Sequence, residues 1–377
     1  MTTPFQVPHP DFARCDAFWA RQESDRPLLA GWVGSYEASQ LYPVGLSRLP
    51  AKALEPADID FELFREDYER LFADHKGTGA DVPWAAFPLM VVPWLEAICG
   101  CPIQHRDGNI WAEPWLEDYD RLEEKGLRLD HAWLDRLVAF TRWLVELSGG
   151  RFPVALSLLR GPMDVLAAMR GAQRLVFDFY DRPGPVARLL DRLATVWVQA
   201  VQAQLAQIRP FAGGYSFSVQ TLWARRPGGW FQDDAIAYSS PRFYRRLSRD
   251  PEARLSQALP LTGIHLHSPA LFTVDDLVEM PDLDVIEVNL DVVGLRIPEM
   301  IPRFQQILAR KRLFVWGALT AADLKLMRDQ LPARGLALQL MGDTPEQVRT
   351  LLDQARAIWR SAIPGRDWQE WNQRPTE

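Results

Sequence analysis

Two histidines stand two residues apart in the run Gly263-Ile264-His265-Leu266-His267-Ser268-Pro269, a spacing that puts both imidazoles on one face of an extended chain. Imidazole nitrogens suit zinc and other first-row divalent metals, so a strand ending in this pair is a candidate metal site with an open position for substrate. The competing reading is plain: one ring hydrogen-bonds backbone and the other faces solvent. The remaining histidines, His9, His75, His105 and His131, fall in segments that read as tail, loop or helix start. The next apolar run carries Glu287, Asn289 and Asp291 at alternate positions, hence on one side of a strand. Glu287 can be a third ligand or a general acid or base, and equally a carboxylate held in a buried salt bridge.

Arg160 follows the run Phe152–Leu159 and precedes the turn-forming Gly161-Pro162. Its guanidinium there can clamp a substrate carboxylate or pair with Asp164. The Gly/Pro-rich stretch 220–234 is long for a connection between a strand and a helix, which marks it as functional. Trp223 and Gln232 within it are expected to line a substrate pocket with Trp32, Tyr215 and Asn289. Asp233 and Asp234 supply a catalytic carboxylate or merely cap the segment that follows. The sequence has no Walker loop, dinucleotide glycine fingerprint, nucleophile elbow or HExxH helix, so nucleotide, hydride and acyl-serine chemistry lose support. Cys99-Gly100-Cys101 is too closely spaced for a zinc knuckle and reads as packing.

What must position these residues is an alternation of strand-like and helix-like segments. Eight short apolar runs stand out: Pro27–Val33, Trp84–Phe87, Phe152–Leu159, Gly214–Val219, Thr262–His267, Val285–Leu290, Arg312–Trp316 and Ala337–Met341. Their near-continuous apolar character fits strands covered on both faces. Between them lie helical periods such as 131–147, with Asp130 as N-cap and Gly149-Gly150 as stop, and 185–208 with its apolar stripe. Eight such units predict an α/β fold, a (β/α)8 TIM barrel with an irregular N-terminal extension covering one mouth. One domain is expected over 1–377: an extension and first strand over 1–80, a barrel body over 81–362 and a tail over 363–377. In a barrel of this kind the site lies at the C-terminal ends of the strands, where the His265/His267 pair falls.

Composition limits the partners. A net charge of −7, with basic pairs such as Arg225-Arg226 and Arg245-Arg246 short and flanked by acids, argues against nucleic acid. Three cysteines make no disulfide framework, no apolar run approaches membrane-spanning length, and the first residues lack a signal-peptide core. A cytoplasmic protein acting on a small molecule, without a membrane, is expected.

Several motifs together resemble the uroporphyrinogen decarboxylase-like superfamily over roughly residues 80–360. They are Pro93-Trp94-Leu95-Glu96 through Cys101-Pro102-Ile103, Ile110-Trp111-Ala112-Glu113-Pro114, Arg160-Gly161-Pro162-Met163-Asp164 with Tyr180-Asp181-Arg182-Pro183, and Phe231-Gln232-Asp233-Asp234 with Ser239-Ser240-Pro241. His265-Leu266-His267-Ser268-Pro269 resembles a strand end that reads His-x-Cys in that family's zinc-containing, cobamide-dependent methyltransferases and His-Leu-Asp-Gly-Pro in a further, uncharacterised branch, which it fits better. The resemblance implies a barrel, often a homodimer, that performs porphyrinogen decarboxylation without a cofactor or methyl transfer involving a corrinoid protein. Two departures matter. The segment Ala30–Tyr36 lacks the arginine-rich strand end of the decarboxylases, and Leu338–Asp343 lacks the methyltransferases' cysteine. Any metal would then be held by His265 and His267 with Glu287 or Asp343, a nitrogen and oxygen set. Metal-assisted methyl transfer is the leading expectation. The alternatives are a decarboxylating lyase using Arg160 with Asp233 or Asp234, and a non-catalytic ligand-binding barrel.

Overall fold

The computed structural model describes residues 10–360 apart from 218, 220 and 292; the expected 363–377 tail lies outside the described residues. Seven strands form one parallel sheet: β1 (Leu28–Val33), β2 (Leu159–Arg160), β3 (Gly228–Gln232), β4 (Leu261–Leu266), β5 (Val285–Leu290), β6 (Arg312–Gly317) and β7 (Leu336–Gly342). Their spatial order is β1-β7-β6-β5-β4-β3-β2. Residues 84–87 supply the eighth stave. Ala86 makes a parallel bridge with Val154, and the Asp81 N–H donates to the Leu29 carbonyl at 2.8 Å, which closes the ring. The fold is the expected barrel. Every residue of β1 and of β4 is buried, as strands enclosed on both faces must be.

The helices that coat the barrel form where sequence chemistry starts and stops them. Of those used below, α1 is Phe12–Trp19, α2 is Arg65–His75, α3 is Trp94–Ile98, α4 is His131–Ser148, α5 is Pro162–Arg170 and α6 is Pro183–Leu205. The Asp130 side chain accepts from the N–H groups of Ala132 and Trp133 to begin α4, and Gly149, at φ 52°, ends it in the left-handed region. Along α6, Val186, Leu189, Leu193, Trp197 and Val201 are buried as one stripe against the barrel.

One expected strand is corrected. Tyr215–Ser216 pairs antiparallel with Trp223–Ala224 as a separate hairpin, and the barrel strand is β3, inside the stretch read as a loop. Gly228 and Gly229 give this segment the look of a loop in sequence because glycine normally interrupts strands. Here it makes room: a Cβ on Gly228 would stand 2.2 Å from the Phe217 ring, and one on Gly229 2.8 Å from Leu156. The hairpin closes the N-terminal end of the barrel together with α1. The Trp19 indole N–H donates to the Trp223 carbonyl at 2.8 Å, Phe12 packs on the Trp223 ring at 4.4 Å, and Arg312 at the start of β6 donates to the Trp19 carbonyl. The opposite end is left for chemistry.

Candidate metal centre

Strand register gathers the polar residues. Arg160, Gln232, His265 and Glu287 occupy one row across the adjacent strands β2, β3, β4 and β5. Neighbours in a row point to the same side of a sheet, so these side chains share the barrel mouth. His267 stands just beyond β4, and its ring meets that of His265 edge to face at 4.7 Å.

Each imidazole is backed by its own carboxylate. His265 Nδ1 donates to Glu287 Oε2, a short contact between two buried groups, and His267 Nδ1 donates to Asp291 Oδ1 at 2.5 Å. Asp291 is in turn fixed by the Ser268 N–H at 2.9 Å and the Ser268 hydroxyl at 2.7 Å. Occupying Nδ1 leaves Nε2 of both rings to face the same third group. Nε2 of His265 lies 3.9 Å from Asp234 Oδ1, and Nε2 of His267 lies 3.7 Å from Asp234 Oδ2. Gln232 Nε2 donates to Oδ2, whereas Oδ1 is buried without a hydrogen-bond partner among the described residues.

This donor set fits a divalent ion. Ligand atoms about 2.1 Å from a tetrahedral ion are roughly 3.4 Å apart; here one ligand atom from each of Asp234, His265 and His267 lies within 4.8 Å of the others, so modest side-chain shifts bring the three onto one ion. A buried carboxylate oxygen without a donor is costly, and a cation there satisfies it. The carboxylate–imidazole pairs are also the usual second layer of a metal site, fixing which ring nitrogen faces the ion.

Charge reinforces the pairing. Burial by itself would lower the basicity of His265, but the Glu287 carboxylate overrides it and carries the imidazole up to about 9. Burial raises Glu287 against the opposing pull of His265. Asp291 stays below the usual carboxylate range because its partial burial is outweighed by His267 and the two Ser268 donors. Burial and the adjacent Asp234 carboxylate push Asp164 up to about 7.

Several sequence expectations shift. Glu287 sits behind His265 on Nδ1, and the side chain that faces Nε2 is that of Asp234. Asp343 lies outside the cluster, with its N–H bonded to the Gln347 side chain at 2.7 Å. Asp233 is buried beneath the mouth: its Oδ1 accepts from the Asp164 N–H at 2.7 Å, and a Cβ on Gly161 would meet its Cγ at 2.6 Å. Alternation along the chain separates the two acids, because Gln232 and Asp234 share one side and Asp233 takes the other. Trp223, expected in the pocket, lies in the floor at the far end of the barrel with Tyr215 beside it in the same hairpin, since that hairpin precedes β3. Arg160 is at the mouth, half exposed, and donates to the buried Glu96 of α3 at 2.9 Å. Asn289 stands beside His267, its Nδ2 3.3 Å from the ring Nδ1. Trp32 is buried and stacked on Tyr36 at 4.4 Å.

Tyr36, Gln339 and Trp316 were not singled out from sequence. Tyr36 OH donates to Gln339 Oε1 at 2.8 Å, and its ring meets Trp316 at 4.8 Å. Nothing local marks them, because they converge only once β1, β6 and β7 lie side by side.

Comparison with known proteins places this geometry on a known scaffold. No protein-family model and no curated protein matches the sequence. Among solved structures the chain is similar to a methyltransferase from Methanosarcina mazei, with a TM-score of 0.63 and 15% identity over 92% of this chain and 98% of that one. It also aligns with the homocysteine methyltransferase MmuM from Escherichia coli in its oxidized form, with a TM-score of 0.40 and 15% identity over 90% and 99% of the two chains. The first likeness establishes a shared fold, the barrel that the uroporphyrinogen decarboxylase-like resemblance implies.

Proposed function

We propose that the chain is a metal-dependent enzyme of the methyltransferase type, with zinc or another first-row divalent ion held by His265 Nε2, His267 Nε2 and Asp234. The observation that carries this reading is the convergence of both Nε2 atoms on one carboxylate while each Nδ1 is tied to a separate acid. Fold likeness to a methyltransferase and the motif resemblance support the reaction class.

Three protein donors leave a position for a substrate heteroatom, whose acidity the bound ion would raise and whose nucleophilicity it would thereby supply near neutral pH. The chain's own residues do the rest. Glu287 and Asp291 hold the rings in one tautomer and one orientation, Gln232 fixes the Asp234 carboxylate, and Trp316 and Tyr36 wall one side against water. Arg160, held by Glu96, stands where it meets a polar end of the incoming molecule.

Elemental analysis of the purified protein after dialysis against zinc tests the ligand set. About one ion per chain is expected in the wild type and in Asp343→Asn, and none in His267→Ala or Asp234→Ala. Retention of the ion by Asp234→Ala, or its loss in Asp343→Asn, would overturn the assignment.

A further inference from the structure

Exposed aromatic rings stand beside the barrel mouth and take no part in the metal centre. In the helix Ala172–Asp181 one face lines up Arg174, Phe177 and Tyr180, and the two rings are 61% and 71% exposed. Tyr180 leans edge-on against Phe243 at 4.7 Å, so the stripe continues onto the helix Pro241–Leu247. Tyr238, 54% exposed, ends the turn Asp234–Tyr238 that begins at the acid facing both Nε2 atoms, which sets the patch at the rim of the site. Large rings left side by side in water mark a contact surface.

Charge around these rings runs against the rest of the chain. The protein has a net charge of −7, yet residues 238–249 hold four arginines and no acid. Arg245 and Arg249 share one partner, Asp276, whereas Arg174, Arg242 and Arg246 are exposed and make no ion pair or hydrogen bond among the described residues. Within the helix Ala172–Asp181, Asp178 is buried and bound to Arg170, which leaves Asp181 as its one exposed acid. A second copy of the chain fits this face poorly, because a closed dimer brings like patches together and sets arginine against arginine. Nucleic acid fits poorly as well, since a chain of this net charge repels a polyanion everywhere beyond these few arginines.

We propose that the rim patch docks an acidic protein surface on which carboxylates are spaced among apolar side chains. The apolar groups cover Phe177 and Tyr180 while the carboxylates pair with Arg174, Arg242 and Arg246. The proposal goes beyond the metal centre and holds whether or not an ion is bound there.

Fluorescence anisotropy of a labelled amphipathic peptide built from Glu-Glu-Leu-Phe repeats, titrated with the full chain, tests it against the same peptide with glutamine for glutamate. The acidic peptide should bind at least about tenfold more tightly in low salt and lose that advantage as salt is raised. Combining Arg174→Gln, Arg242→Gln and Arg246→Gln should erase the preference, and Phe177→Ser should weaken both peptides about tenfold. Arg349→Gln, in the helix that follows β7, should change neither. These side chains are all exposed, so each variant should keep the thermal unfolding midpoint of the wild type. Failure of the acidic peptide to bind, equal binding of the two peptides, or a preference that survives the triple variant would overturn the proposal. So would tighter binding of duplex DNA or phosphatidylglycerol vesicles through the same arginines, or a dimer in sedimentation that Phe177→Ser breaks apart, which would give the face to a polyanion, a membrane or a second copy.

Discussion

Acid should weaken this fold through one buried imidazole. His75 at the end of α2 is neutral by construction: its Nδ1 donates to the Leu71 carbonyl at 2.6 Å and its Nε2 accepts from the Val33 N–H at 2.9 Å. The ring lies between Trp32 and Trp84, and burial lowers its affinity for a proton to about 4 from an ordinary 6.5. A histidine depressed in the folded state loses stability as pH falls, because the unfolded chain takes up the proton first. The loss begins near pH 6.5 and is complete below about 4. A gap of that size corresponds to about 3 kcal/mol in total, with about 2 kcal/mol gone by pH 5. Urea unfolding followed by tryptophan fluorescence, run on wild type and His75→Gln at half-unit steps from pH 7 to 4.5, measures it. The buried acids Glu252 and Asp164 titrate in both proteins and cancel in the difference. Wild type should lose its margin over the variant across this window. A constant difference between the two curves would refute the account of His75.

Three further outcomes follow from other contacts. Asp291→Asn removes the charge behind His267 while keeping its shape, and should lower zinc affinity about 10–100-fold in a chelator competition without unfolding the chain. Gly263→Ala forces a methyl to 2.2 Å from the Trp230 ring and should cost at least about 1–3 kcal/mol in urea unfolding, with partial recovery when Trp230→Leu is added. Burial pushes Glu252 up to about 8, so wild type loses stability as pH rises from about 4.5 through 8; Glu252→Gln should remove that slope and gain on wild type by pH 8 in thermal unfolding.

Much of the scaffold could be read in the sequence because parallel strands sealed on both faces are apolar throughout. The run Val285–Leu290 coincides with β5, and Asp130 and Gly149 bracket α4 as their side-chain and backbone preferences dictate. The hairpin at Tyr215 mimics a barrel strand for the converse reason: its residues are extended and apolar but pair antiparallel beneath the barrel. β3 was hidden because its glycines answer to Phe217 and Leu156, which are distant in sequence. At the site, the spacing of two between His265 and His267 was informative since strand geometry alone puts them together. The choice of Asp234 over Glu287 as the acid facing Nε2 was not, because it depends on which ring nitrogen each acid reaches after β3, β4 and β5 come into register.

The central claim is that two Nε2 atoms and Asp234 share one ion. Anomalous diffraction from zinc-soaked crystals, recorded above and below the zinc edge, tests this most directly. One peak about 2.0–2.2 Å from His265 Nε2, His267 Nε2 and an Asp234 oxygen is the predicted result. A peak against Glu287 or Asp343 in its place, or fully soaked crystals with no peak at the mouth, would contradict it.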